Sequence, residues 1–100
     1  MSDNLEIIVF DLCNIYKNIH ESARVVCAER GIPLREVDLK FGENEKIATQ
    51  YGVGPFPQCV FARGSKAIGR SEGVIQSPKY ISTLLDKALR EEAEQDHSTD

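Results

Sequence analysis

The chain has no tryptophan, one methionine and only three cysteines, Cys13, Cys27 and Cys59. No two of them form a Cys-x-x-Cys pair, and the two histidines, His20 and His97, stand far apart. That excludes the ligand spacings of a structural zinc site, and no metal is expected. No apolar run approaches the roughly 18 residues of a membrane span. The opening Met-Ser-Asp-Asn-Leu-Glu lacks a basic stretch followed by an apolar one, so no signal peptide is expected. An odd number of thiols then fits a reducing compartment, and the expected location is cytoplasmic. Basic residues are outnumbered, 12 Lys and Arg against 16 Asp and Glu, for a net charge of −4. A general nucleic-acid binder needs the opposite balance, so neither nucleic acid nor membrane is an expected partner. At 100 residues there is room for one core, and a monomer is expected.

The residues that are present fall into a clear order. Leu5 to Leu12 is short, β-branched and almost continuously apolar, as a strand buried on both faces should be. Asp11 is its odd member. A buried carboxylate is costly unless paired, so Asp11 is expected at the exposed end of the strand. Ile15, Ile19, Ala23, Val26 and Cys27 follow at steps of three and four, one face of an amphipathic helix. Asn14 can cap it; so can Asn18, with Glu21 as its capping-box partner. Gly31 ends the helix and Pro33 prevents its return. Pro33 to Leu39 reads as a second strand, parallel to the first through a βαβ crossover. Asn44 can cap a short helix, Glu45 to Tyr51. Gln58 to Ala62 and Lys66 to Arg70, joined by Arg63-Gly64-Ser65, form a hairpin. Ser77-Pro78 opens a last helix, with Tyr80, Ile81, Leu84, Leu85 and Ala88 as its buried face. The polar residues 91–100 are expected to be a fraying helix end and a disordered acidic tail on a domain of residues 1–90.

Between the short helix and the hairpin lies Tyr51-Gly52-Val53-Gly54-Pro55-Phe56-Pro57-Gln58. An X-Pro bond tolerates the cis form at a cost of only about 0.5–1 kcal/mol. A cis Phe56-Pro57 bond would turn the backbone of Phe56 outward, where it could hold an extended peptide or a glutathione-like ligand. A plain trans proline opening a strand is the alternative.

This order, β-α-β, α, β-β, α with a proline at the entry to the third strand, resembles the thioredoxin superfamily, and glutaredoxins most. Three pieces carry the likeness between about Leu5 and Leu89. Glu29 to Leu39 reads like the helix exit and second strand of a glutaredoxin. Tyr51-Gly52-Val53 through Phe56-Pro57-Gln58 looks like the approach to the family's cis-proline, with Pro57 at that position. Ile68-Gly69-Arg70-Ser71-Glu72 is similar to the Ile-Gly-Gly-Ser/Cys-Asp-Asp segment that holds glutathione. The resemblance implies an α/β fold of thioredoxin/glutaredoxin type, a three-layer arrangement with a four-stranded mixed sheet and helices on both faces.

The active-site corner departs from the family, and its motif is degenerate. Two placements stay open. In the first, Cys13-Asn14-Ile15-Tyr16-Lys17 stands for Cys-x-x-Cys-Lys, with Tyr16 replacing the resolving cysteine. In the second, Lys17-Asn18-Ile19-His20 occupies the motif and no cysteine survives. A helical face beginning at Ile15 favours the first. It puts Cys13 at the helix N-terminus, where the dipole favours a nucleophilic thiolate, although the carboxylate of Asp11 works against it. Two functions follow from the resemblance. One is a glutaredoxin-like, monothiol, glutathione-dependent oxidoreductase: Cys13 as nucleophile, Phe56 and Pro57 holding the substrate backbone, Ser71 and Glu72 binding glutathione. The other is a redox-inactive module that engages a protein partner through the proline loop. Arg70 stands where the family has a glycine and could crowd glutathione or attract another acidic ligand. Cys27 and Cys59 are expected in the core, with a Cys13–Cys59 approach left open. Lys17 and His20 could bind an anion or tune a thiol, and are expected on a solvated helix face.

Overall fold

The computed structural model describes residues 5–13, 15–52 and 57–98. The expected cap at Asn14, the residue Phe56 and the isomer of its bond to Pro57 lie outside the described residues. Four strands, β1 (Leu5–Asp11), β2 (Leu34–Asp38), β3 (Gln58–Arg63) and β4 (Lys66–Glu72), form one sheet in the order β2-β1-β3-β4. β1 runs parallel to β2 and antiparallel to β3, and β3 is antiparallel to β4. The helices are α1 (Lys17–Arg30), the short α2 (Glu45–Gln50), entered through a single 3-10 turn at Gly42–Asn44, and α3 (Pro78–Ser98).

Strand alternation divides the core in two. Ile7 and Val9 of β1 and Cys59 and Phe61 of β3 pack with Ile19, Ala23, Val26 and Cys27 of α1 and Ile81, Leu85 and Ala88 of α3. Ile8, Phe10, Val60 and Ala62 point the other way, against Val37, Ala48 and Tyr51. The central strands are covered on both sides, which is why β1 reads as a continuous apolar run rather than an alternating one. On the α3 side the approach is close: a Cβ placed on Gly69 would lie 2.6 Å from the Cβ of Ala88.

Several local expectations change. Asp11 is not at an exposed end; it is 1% exposed. Its carboxylate draws the following backbone around itself, accepting from Leu12 N–H at 2.6 Å and Tyr16 N–H at 3.1 Å. The backbone of Leu12 and Tyr16 is thereby held ahead of the helix, and α1 begins at Lys17 with Tyr16 as its N-cap. Ile15, expected on the buried helical face, lies before the helix and is 58% exposed. Asn18 does not cap α1: its Oδ1 accepts the N–H of Gln76, 2.9 Å away in the β4–α3 loop. Asn44 does not cap α2 through its side chain either, since its Nδ2 donates to the carbonyl of Asp38. Gly31 does end α1, in the left-handed conformation, with its N–H on the carbonyl of Cys27. Ser77 does cap α3, accepting the N–H of Tyr80.

Tyr80 itself is exposed rather than buried. α3 also passes the expected boundary at Arg90 and runs to Ser98. Arg, Glu, Ala and Gln are good helix formers. The extension is tied back at Glu92, whose carboxylate takes two hydrogen bonds from the guanidinium of Arg63 at 2.8 and 3.0 Å.

Candidate functional site

The corner between the end of β1 and the start of α1 is built around one buried imidazole. His20, in the first turn of α1, is 4% exposed. Its Nε2 lies 2.9 Å from Oδ2 of Asp11, and its Nδ1 lies 2.8 Å from Oε2 of Glu36 on β2. Both contacts are hydrogen bonds at once only when a hydrogen is available at each. The expectation of a solvated His20 is therefore corrected: β1, α1 and β2 are joined through it. Asp11, His20, Glu36, Val37 and Asp38 line a cleft of about 180 Å³. Arg24 donates to the same oxygen of Glu36 at 3.2 Å from the outer face of α1.

Cys13 lies beside this cleft and is not at the helix N-terminus. It is exposed, its φ is 57°, and its backbone N–H donates to Oδ1 of Asp38 at 2.9 Å. That hydrogen bond, with a second from the N–H of Lys40, holds the Asp38 carboxyl below its ordinary range. The helix end is occupied instead by Lys17-Asn18-Ile19-His20, the alternative placement of the motif. The other two thiols are packed in the core, as expected. Burial pushes Cys27 up to about 11, and its S–H faces the carbonyl of Pro33. Burial, with a smaller contribution from Cys27, pushes Cys59 up to about 12. Cys59 points into the α1–α3 side of the core, and all three cysteines are free.

The expected ligand segment on β4 is largely committed to the protein itself. Ser71 is fully buried, and its hydroxyl donates to Oε1 of Gln76. Gln76, also fully buried, donates from Nε2 to the carbonyl of Gly73. Glu72 accepts from Nε2 of Gln58 at 3.0 Å. Arg70 donates to the carbonyls of Tyr51 and Gly52 at 2.9 and 2.8 Å, so it neither stands free for an acidic ligand nor projects into open space. Pro57 is buried at the entry to β3.

The Asn18–Gln76 hydrogen bond brings the β4–α3 loop to the β1–α1 corner, and the Gln58–Glu72 pairing brings the start of β3 to the same end of the sheet. On that end the two loops expose apolar side chains: Ile15, Val74 at 55% and Ile75 at 80%. Sequence reasoning missed the pairing of His20 with Asp11 and Glu36, the Asn18–Gln76 contact and this apolar rim. The available signal was Asp11: a carboxylate inside an apolar strand demands partners, and His20 on a neighbouring helix turn was a candidate. A cavity of about 890 Å³ lies elsewhere, at the start of β1 among Leu5, Ile32, Pro33 and Leu89. It contains none of the expected site residues. No group of three or more His, Cys, Asp or Glu among the described residues could hold a metal ion, and no described helix is long and apolar enough to cross a membrane.

A four-stranded mixed sheet in this order, flanked by α1 and α3 on one face and α2 on the other, is a thioredoxin-like fold. Solved structures bear this out. A malarial protein superposes with a TM-score of 0.64 at 18% identity, over 87% of this chain and 99% of the other. A thioredoxin from Fasciola hepatica superposes with a TM-score of 0.60 at 23% identity, over 87% of this chain and 80% of the other. No protein-family model matches the sequence, and no curated protein matches it. At these identities the likeness carries the fold, and the narrower glutaredoxin assignment does not follow from it.

Proposed function

We propose that this chain is a thioredoxin-fold binding module that takes an extended, apolar peptide segment of a protein partner at the end of the sheet where the β1–α1 corner, Pro57 and the β4–α3 loop meet. The observation that carries the reading is the exposure of Ile15, just ahead of α1, and of Val74 and Ile75 on the β4–α3 loop, which the Asn18–Gln76 hydrogen bond ties to the first turn of α1. Apolar side chains gathered at one end of a domain mark contact surfaces. Two further facts support it. The helix end carries His20, engaged with two carboxylates, where a thiol catalyst would present cysteine. The hydroxyl of Ser71 is turned inward on Gln76, which argues against a glutathione subsite there.

The test is selection of linear peptides from a random library on the folded protein. Selected peptides should be rich in apolar residues. They should bind equally well when Cys13, Cys27 and Cys59 are all replaced by serine, and at least about tenfold more weakly to Ile75→Asp, since losing one buried aliphatic contact is worth more than 1.4 kcal/mol. Glutathione-dependent reduction of a mixed disulfide by the wild type, lost in Cys13→Ser, would replace this reading with the monothiol oxidoreductase.

A further inference from the structure

We infer that Asn18 is the positioning residue for the apolar pair on the β4–α3 loop: by accepting the backbone N–H of Gln76 it fixes that loop against α1, and so presents Val74 and Ile75 to a peptide. The inference rests on the binding reading above. Two kinds of contact hold this loop. The first is internal. The side chain of Gln76 is fully buried, and its Nε2 donates to the carbonyl of Gly73 at 2.8 Å while its Oε1 accepts from the hydroxyl of Ser71. Gly73 has a φ of 125°, a conformation that favours glycine. These contacts join the loop to itself and to the strand it leaves, so they set its shape. They bracket Val74 and Ile75, which stay 55% and 80% exposed.

The second contact crosses to another element. Oδ1 of Asn18, in the first turn of α1, accepts the N–H of Gln76 at 2.9 Å. It sets how the preshaped loop is oriented on the helix. Aliphatic side chains make no directional contact of their own, so the direction of Val74 and Ile75 has to come from the backbone that carries them. A loop already oriented spares a peptide the cost of ordering it on binding. Asn18 can be changed without disturbing the rest, because it is exposed and alanine is the better helix former at its position.

A double-mutant cycle on the peptides selected above, with amide exchange read residue by residue in the NMR spectrum, tests this. In Asn18→Ala the N–H of Gln76 should exchange about fivefold faster, the factor for one typical hydrogen bond, while the amides of β1 keep their rates. Peptide affinity should fall roughly two- to tenfold. Asn18→Asp keeps an acceptor oxygen in the same place and should bind as the wild type does. Ile75→Ala should cost about tenfold in the wild type and less than about threefold in Asn18→Ala, because a misdirected side chain has less contact to lose. A general loss of stability would leave the cost of Ile75→Ala equal in both backgrounds. Equal costs, an Asn18→Asp protein as weak as Asn18→Ala, or unchanged exchange at Gln76 overturns the role of Asn18 while leaving the binding reading in place. Failure of the wild type to select any peptide overturns the binding reading, and the role of Asn18 in it, whatever the exchange shows.

Discussion

Replacing His20 with leucine tests the corner most directly. Leucine is close to histidine in bulk and is a better helix former, so the helix itself should tolerate the change. What is lost is the imidazole between Asp11 and Glu36. Glu36 retains Arg24 and is partly exposed, so it can hydrate. Asp11 cannot, because it is buried. Among the described residues it keeps the N–H groups of Leu12 and Tyr16. Removing one partner of a buried charged pair costs about 3–5 kcal/mol, most of it from the stranded charge. Two remaining hydrogen bonds place this case near about 3 kcal/mol, a large part of the roughly 5–15 kcal/mol that stabilises a domain. Urea denaturation reads the loss as a lower midpoint at unchanged slope. The second arm is Asp11→Asn combined with His20→Leu. Asparagine keeps an oxygen for Leu12 and Tyr16 and strands no charge, so the double variant should be at least about 1 kcal/mol more stable than His20→Leu alone. A His20→Leu loss below about 1 kcal/mol, or strictly additive single changes, would refute the claim that this corner is held by the histidine.

Three other outcomes follow from the geometry. Alkylation at pH 8 should label exposed Cys13 promptly, while Cys27 and Cys59, pushed by burial to about 11 and about 12, react only as fast as the chain opens; peptide mass mapping gives the order. Gly69→Ala should cost about 1–3 kcal/mol in chemical denaturation, because the new methyl meets Ala88 at 2.6 Å, and Ala88→Gly should restore part of it. Asp38 has its folded-state value depressed by the N–H groups of Cys13 and Lys40. Its contribution is therefore present above the unfolded carboxylate range and is lost as pH falls through the folded value. Asp38→Asn should flatten the acid limb of stability against pH, and an unchanged limb would show that the hydrogen bonds from Cys13 and Lys40 carry no linkage.

The sheet was legible because its strands carry their own signatures. β1 is a continuous apolar run, β3 and β4 are separated by a Gly-Ser turn, and Ser77-Pro78 marks the start of α3. The errors cluster where one side chain overrides a local pattern. Ile15 fits the helical spacing of Ile19 and Ala23, yet Asp11 claims the backbone between them and the helix starts later. Polarity after Arg90 read as a tail, but polarity does not oppose helix when the residues are Arg, Glu and Ala and one of them is held by Arg63. Arg70 and Ser71 matched a ligand segment by residue type; only their partners show that the one holds carbonyls and the other a glutamine.

The same misreading of Asp11 links the fold to the function proposed here. Placed at an exposed strand end, it leaves room for a helix beginning near Ile15 and a cysteine at its tip. Buried, it needs donors, and it finds them in the backbone of residues 12 and 16 and in His20. Each of those contacts changes the corner from the one expected of the sequence. The loop displaces Cys13 from the helix end toward Asp38, the helix end is filled by a histidine held between carboxylates, and Ile15 is released to the surface. A buried carboxylate at the end of a central strand thus accounts both for the absence of a thiol at the helix start and for part of the apolar rim. If that chain of causes holds, Asp11→Leu should do more than destabilise. It should free the N–H groups of Leu12 and Tyr16 and let α1 extend toward Ile15, measurable as new helical amide contacts ahead of Lys17 in the NMR spectrum. An unchanged helix start in a folded Asp11→Leu protein would show that the loop is set by its own sequence and not by the carboxylate.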